Sequence, residues 1–198
     1  MKISKKELEA LKTVIERDKD KVSFAKDYFV TDKKGNLACI TNITAERGES
    51  SYNSLSVKEL EFNGTDYYEK TVALCDYMVV KGEKGKHIFI VLIEVLSCGN
   101  YNRGYGSLIL KFLEDQCKQL GIEEIRGKFK PIAPARPEYV RNFYTVNGFE
   151  FYDHLGYDMI RKMQPTFRSF DSKNINGVDF VCLNDNEITV YEEDILTK

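Results

Sequence analysis

An apolar run that passes through a pair of glycines into a helical repeat constrains this chain more than any other feature. Ile88 to Leu96 is apolar except for Glu94, and a run of that length between polar turns reads as a central strand. Asn100-Tyr101-Asn102-Arg103-Gly104-Tyr105-Gly106-Ser107 follows. Ile109, Phe112, Leu113, Cys117 and Leu120 then recur on one helical face, with Lys111, Asp115, Lys118 and Gln119 outside it. Gly121 fits a C-cap and Ile122 to Phe129 alternates as another strand. A strand, a crossover helix and a second strand predict a parallel pair. The start of such a helix carries unpaired N–H groups and the positive end of the helix dipole, which suits an anion such as phosphate. Glycines at alternate positions let the main chain approach that anion. Gly-x-Gly alone marks many ordinary turns, and both the Walker spacing and the three-glycine dinucleotide fingerprint are absent.

The flanking segments supply the rest of a mixed, mostly antiparallel central sheet with flanking helices, an α/β fold. Ser4 to Arg17 reads as an amphipathic helix with Leu8, Leu11 and Ile15 inward, capped by Ser4 with Glu7 three residues on. Val22 to Thr31 and Leu37 to Ile43 read as strands around the turn 32–36. Thr44 to Asn53 reads as a polar loop, and Ser54 to Phe62 as a strand. Ala73 to Val80 and Ile88 to Leu96 make a hairpin across Gly82-Glu83-Lys84-Gly85. Pro137 suits the first turn of a helix running to about Asn147 and ending at Gly148. Phe149 to Tyr152 and Tyr157 to Met163 form a further hairpin. Val178 to Leu183 and Ile188 to Tyr191 read as a last one, so residues 1–163 form the main domain and 164–198 an extension packed on it.

Composition narrows the function. With 198 residues and a net charge of −2, the chain has a core of useful size but no excess of cations for a phosphate backbone, so nucleic acid is not an expected partner. Cys39, Cys75, Cys98, Cys117 and Cys182 are odd in number and contain no Cys-x-x-Cys, which argues against disulfides and a zinc site; no metal is expected. No apolar stretch follows the amino-terminal lysines and none is long enough to span a bilayer, so the expected location is the cytoplasm, with no membrane partner. His87 and His154 are the only histidines, and no Ser-His-Asp arrangement is readable.

Tyr101-Asn102-Arg103-Gly104-Tyr105-Gly106-Ser107 resembles the Gln/Arg-x-x-Gly-x-Gly/Ala signature of the GNAT superfamily, the acyl-coenzyme-A-dependent N-acyltransferases. Phe143-Tyr144-Thr145-Val146-Asn147-Gly148-Phe149 resembles its Phe-Tyr-x-x-x-Gly-Phe, in the family's order and spacing, and the likeness covers residues 72–163. Tyr101 replaces the usual Gln or Arg, and Pro137 stands where the second helix often has Asn. The resemblance implies acetyl transfer from acetyl-CoA to a primary amine of a small molecule or peptide, by direct attack in a ternary complex. It also leaves open a catalytically silent coenzyme A sensor or interaction module, and a homodimer.

The resemblance further implies a pyrophosphate site on the main chain of Arg103, Gly104, Tyr105, Gly106 and Ser107. It implies an oxyanion donor among Val95, Leu96 and Ser97, where the family has a bulge. Tyr144 is the candidate acid for the departing thiolate, since a phenol titrates near or above a thiol; packing beside Phe143 is the alternative. Glu94 shares a strand face with Ile90, Leu92 and Leu96 on strict alternation, where an unpaired carboxylate is costly, so it is a candidate base or cation ligand, or else a charge emerging at the sheet edge. Asp76, Glu59 and Glu61 are secondary candidates. Arg103 and Arg141 are candidates for coenzyme phosphates, or solvated charges at helix ends.

Overall fold

The computed structural model describes residues 2–21, 25–31, 36–48, 50–82, 85–96, 103–128, 136–152, 158–163, 171–182 and 189–191. Among them run β1 (Lys2–Ser4), α1 (Lys5–Lys21), β2 (Ala25–Thr31), β3 (Leu37–Arg47), β4 (Ser50–Phe62), β5 (Tyr67–Gly82) and β6 (Gly85–Val95). They are followed by α2 (Tyr105–Leu120), β7 (Glu124–Lys128), α3 (Pro137–Val146), β8 (Glu150–Phe151), β9 (Asp158–Lys162), β10 (Asp171–Ile175), β11 (Val178–Cys182) and β12 (Thr189–Tyr191). Ten strands form one sheet in the order β10-β11-β2-β3-β4-β5-β6-β7-β9-β8. It is antiparallel except at β11–β2 and β6–β7. β1 and β12 form a separate parallel pair.

The local signals act where the sequence places them. Ser4 Oγ accepts from the Glu7 N–H at 3.2 Å and the Glu7 carboxylate accepts from the Ser4 N–H at 2.8 Å, a reciprocal cap at the start of α1. Gly121 closes α2 in the left-handed region, at φ 64°. Pro137 occupies the first turn of α3, where its missing N–H costs nothing.

Three expectations change. Thr44 to Asn53 is not a loop: β3 and β4 run on to an Arg47–Ser50 pair, turning at Gly48 with φ 61°. Polar side chains sustain that end, with Thr44 Oγ1 donating to Asn53 Oδ1 at 2.7 Å. Residues 178–182 do not pair with 189–191. β11 pairs instead with β10 across Asn176-Gly177 and with β2, while β12 lies on β1. The strand expected at Ala73 to Val80 is longer: β5 runs from Tyr67 to Gly82, and a register shift between Val57 and Lys58 of β4 leaves Val72 as its extra residue.

Two cores lie on opposite faces of the sheet. α2 covers one face with Leu108, Ile109, Phe112, Leu113 and Cys117, packed on Val57, Cys75, Tyr77, Ile88, Ile90 and Ile125. α1 covers the other with Leu8, Leu11 and Val14 on Phe29, Cys39, Leu60 and Phe180. Under α1, Lys58 joins Asp18 to Glu69, which also pairs with Arg17, so the helix is tied to β4 and β5 by charge as well as burial.

Candidate functional site

β6 and β7, seventh and eighth in the order of the sheet, part along their length. Their parallel ladder has three pairs, ending at Ile90–Gly127. A Cβ on Gly127 would stand 3.3 Å from the Ile90 carbonyl oxygen, so a glycine suits the vertex where the strands separate. Beyond Ile90 no described residue pairs with β6 on that side.

A bulge at Val91 sets what faces the opening. Tyr77 pairs with Ile90 but Asp76 pairs with Leu92, so Val91 is the extra residue. The Leu96 N–H donates to the Val72 carbonyl at 2.8 Å, which makes Leu96–Val72 a hydrogen-bonded pair of the antiparallel ladder. Such pairs alternate, so Glu94 and Leu92 also turn their main-chain groups to β5, whereas Ile93 and Val95 turn theirs into the gap beside β7. The expected oxyanion donors are thereby revised. The Leu96 N–H is occupied, Ser97 lies outside the described residues, and Ile93 and Val95, which the sequence reading passed over or named only in a range, present the open edge. Local apolar pattern carries no information on ladder parity.

The same bulge reverses the reasoning about Glu94. Ile90 lies on the α2 face, with Ile93 and Val95, while Leu92 and Glu94 point to the opposite face, where Glu94 is exposed. No desolvation cost attaches to it. Asp76 is on that same face, bonded to the Tyr52 hydroxyl, and Glu61 is exposed at the far end of β4.

After β6 in the chain, α2 begins at Gly104, which is left-handed with φ 88°, and no side chain caps the helix. Its first helical bond runs from the Leu108 N–H to the Gly104 carbonyl at 2.9 Å. The N–H groups of the first turn, through Tyr105, Gly106 and Ser107, therefore have no acceptor within the helix. The two glycines serve different ends. Gly104 supplies the left-handed turn, whereas a Cβ on Gly106 would lie 2.9 Å from Phe143 Cζ, so Gly106 lets α3 close against α2. Tyr105 is buried, and its hydroxyl donates to Glu59 Oε1 at 2.6 Å. Arg103 pairs with that same oxygen and lies over the Tyr105 ring, so it is turned to β4 rather than outward to a phosphate. Arg141 is exposed on α3, its guanidinium 4.3 Å from the Phe151 ring centroid.

Tyr144 is the one buried residue of α3, edge-on to Phe143 and Phe149 at 5.1 and 5.3 Å between centroids. Burial pushes its phenol above the ordinary range, and the Cys75 thiol adds to the shift. Cys75 pairs with Ile93, so the phenol comes within electrostatic reach of the level at which β6 opens. The group stays protonated at neutral pH, as a proton donor must. Burial, helped by Arg126, lowers the pKa of His87, which stands at the start of β6, far from the gap end. Cys98 and His154 lie outside the described residues. Among the described residues no group of three His, Cys, Asp or Glu side chains could hold a metal ion, and no helix is long and apolar enough to cross a membrane.

No family model matches the chain and no curated protein matches its sequence. Among solved structures it is similar to a cAMP-binding acyltransferase from Mycobacterium smegmatis, with 9% identity and a TM-score of 0.48 over 80% of this chain. The chain covers 55% of that protein's length. It is also similar to an acetyltransferase of the GNAT family from Staphylococcus aureus MU50, with 15% identity and a TM-score of 0.42 over 57% of this chain and 68% of that one. AtaTR bound with AcCoA is a further similar structure, with 8% identity, a TM-score of 0.42 and the same two coverages, 57% and 68%. The sheet is mostly antiparallel, with α2 as the crossover between its parallel neighbours β6 and β7 and helices on both faces, a mixed α/β fold.

Proposed function

We propose that this protein is an N-acetyltransferase that moves the acetyl group of acetyl-CoA to a primary amine by direct attack. The observation that carries the reading is a chain of contacts joining three features: the uncapped start of α2, closed on α3 through Gly106 and Phe143; the phenol of Tyr144 on α3, within electrostatic reach of Cys75; and the open edge of β6 at Ile93, which pairs with Cys75, and Val95. The pyrophosphate rests on the first-turn N–H groups, which the helix itself does not use and where its dipole favours negative charge. The amides of the coenzyme arm have the spacing to pair with main-chain groups of β6 as a strand would.

In the chemical step the amine lone pair attacks the thioester carbonyl carbon, the C–N bond forms and the C–S bond breaks. An N–H of the β6 edge donates to the oxyanion, the sulfur leaves with the electron pair, and Tyr144 protonates it. Glu94, on the face opposite α2, takes the amine proton through water. The acceptor is a small molecule or peptide reaching the gap from that face.

Incubation with acetyl-CoA labelled in the acetyl group and a pool of primary amines tests this. Label in an amide product with stoichiometric release of coenzyme A is expected. Tight coenzyme binding without transfer to any amine would point to a coenzyme sensor, and absence of both would refute the proposal.

A further inference from the structure

Glu59 sits on β4, on the sheet face covered by α2, and one of its oxygens meets both residues that flank Gly104. Tyr105 donates its hydroxyl to Glu59 Oε1 at 2.6 Å and Arg103 pairs with the same atom. All three side chains are largely withdrawn from solvent: Tyr105 is 1% exposed, and the Arg103 and Glu59 side chains are 15% and 21% exposed. The Arg103 guanidinium also lies 5.2 Å from the Tyr105 ring centroid, so the two donors brace one another. Gly104, between them, is the residue with no side chain and with φ 88°. Its main chain is the softest point of the helix start, yet it is held on both sides by one carboxylate of a central strand.

We infer that Glu59 is a positioning residue for the proposed coenzyme site: it fixes the left-handed Gly104 turn so that the first-turn N–H groups of α2 are set for a pyrophosphate. The inference rests on the proposed function for the identity of the anion, and on the geometry for the anchoring. Arg103 then acts through the shape of the turn, although its place in the motif makes it look like a phosphate ligand.

Two variants separate the contributions. Glu59→Gln keeps an oxygen for the Tyr105 hydroxyl but loses the negative charge that faces Arg103; Glu59→Ala loses both contacts. Coenzyme A affinity measured by titration calorimetry should fall about tenfold in Glu59→Gln, the worth of one charge-assisted hydrogen bond, and further in Glu59→Ala. Amide hydrogen exchange in residues 108–110, whose N–H groups close the first turn of α2, should accelerate in the same order, with the rest of α2 unchanged. A residue that merely supported the core would instead loosen α2 as a whole and leave affinity in step with stability. Unchanged exchange at 108–110 in a folded Glu59→Ala overturns the anchoring. Accelerated exchange with unaltered coenzyme affinity overturns the positioning role. A parent protein that binds no coenzyme A refutes the functional reading and with it the coenzyme role of Glu59, and exchange at 108–110 then decides the anchoring alone.

Discussion

The Phe143 ring lies directly on Gly106, with Cζ 2.9 Å from the position a Cβ would take. Two motifs separated by a helix, a strand and a turn thus meet at one contact, and through it the start of α2 is linked to the helix that carries Tyr144.

Gly106→Ala should therefore be felt on α3. The added methyl displaces Phe143, at a cost of about 1–3 kcal/mol for overpacking. The same substitution in a Phe143→Leu background should cost much less, because the smaller side chain can yield. Urea unfolding of the two single variants and the double variant measures the coupling; additive losses would mean that Gly106 and Phe143 are not in contact.

Tyr144 offers a test of chemistry against packing. Tyr144→Phe keeps the ring between Phe143 and Phe149 and removes the proton donor, so the melting temperature should hold while kcat falls by about 10²–10⁴. Tyr144→Ala should lose about 3–5 kcal/mol of stability. Undiminished kcat in Tyr144→Phe would reduce the residue to core packing.

Much of this site was legible because its signals are local. The glycines, the helix period after them, the Ser4–Glu7 cap and the Gly121 cap each act within a few residues, and each lies at or next to the predicted place. What stayed hidden depends on partners distant in sequence. Nothing in Asp171 to Cys182 announces pairing with β2. Thr44 to Asn53 hides a strand pair because apolar alternation reports burial, and this end of the sheet is held by polar pairs. The Val91 bulge changed the site most: one unpaired residue turned Glu94 away from Ile90, and apolar side chains on both sides of it gave no sign.

Asp27 makes stability depend on pH. It is buried under α1, its Oδ1 accepting from Thr41 at 2.6 Å while Oδ2 has no partner. Burial raises its carboxyl above the usual range and Asp18 adds to this, against the opposing pull of Thr41, Lys58 and Cys39. A raised folded pKa favours the protonated form in the native state. Its contribution is complete below the ordinary carboxylate value of about 3.9 and is lost as pH rises through the folded value. Asp27→Asn mimics the protonated group and should flatten that limb of the stability–pH curve. Parallel curves for parent and variant, from pH about 4 to neutrality, would show that Asp27 is ionised at no cost.

The central claim is that the start of α2 holds the pyrophosphate of coenzyme A. Calorimetric titration of coenzyme A into the parent and into Gly104→Val tests it most directly, since a branched side chain at φ 88° cannot keep the turn without strain. Saturable binding of one coenzyme per chain in the parent, lost in a folded Gly104→Val, is the predicted result; equal affinity in the two proteins would contradict the account.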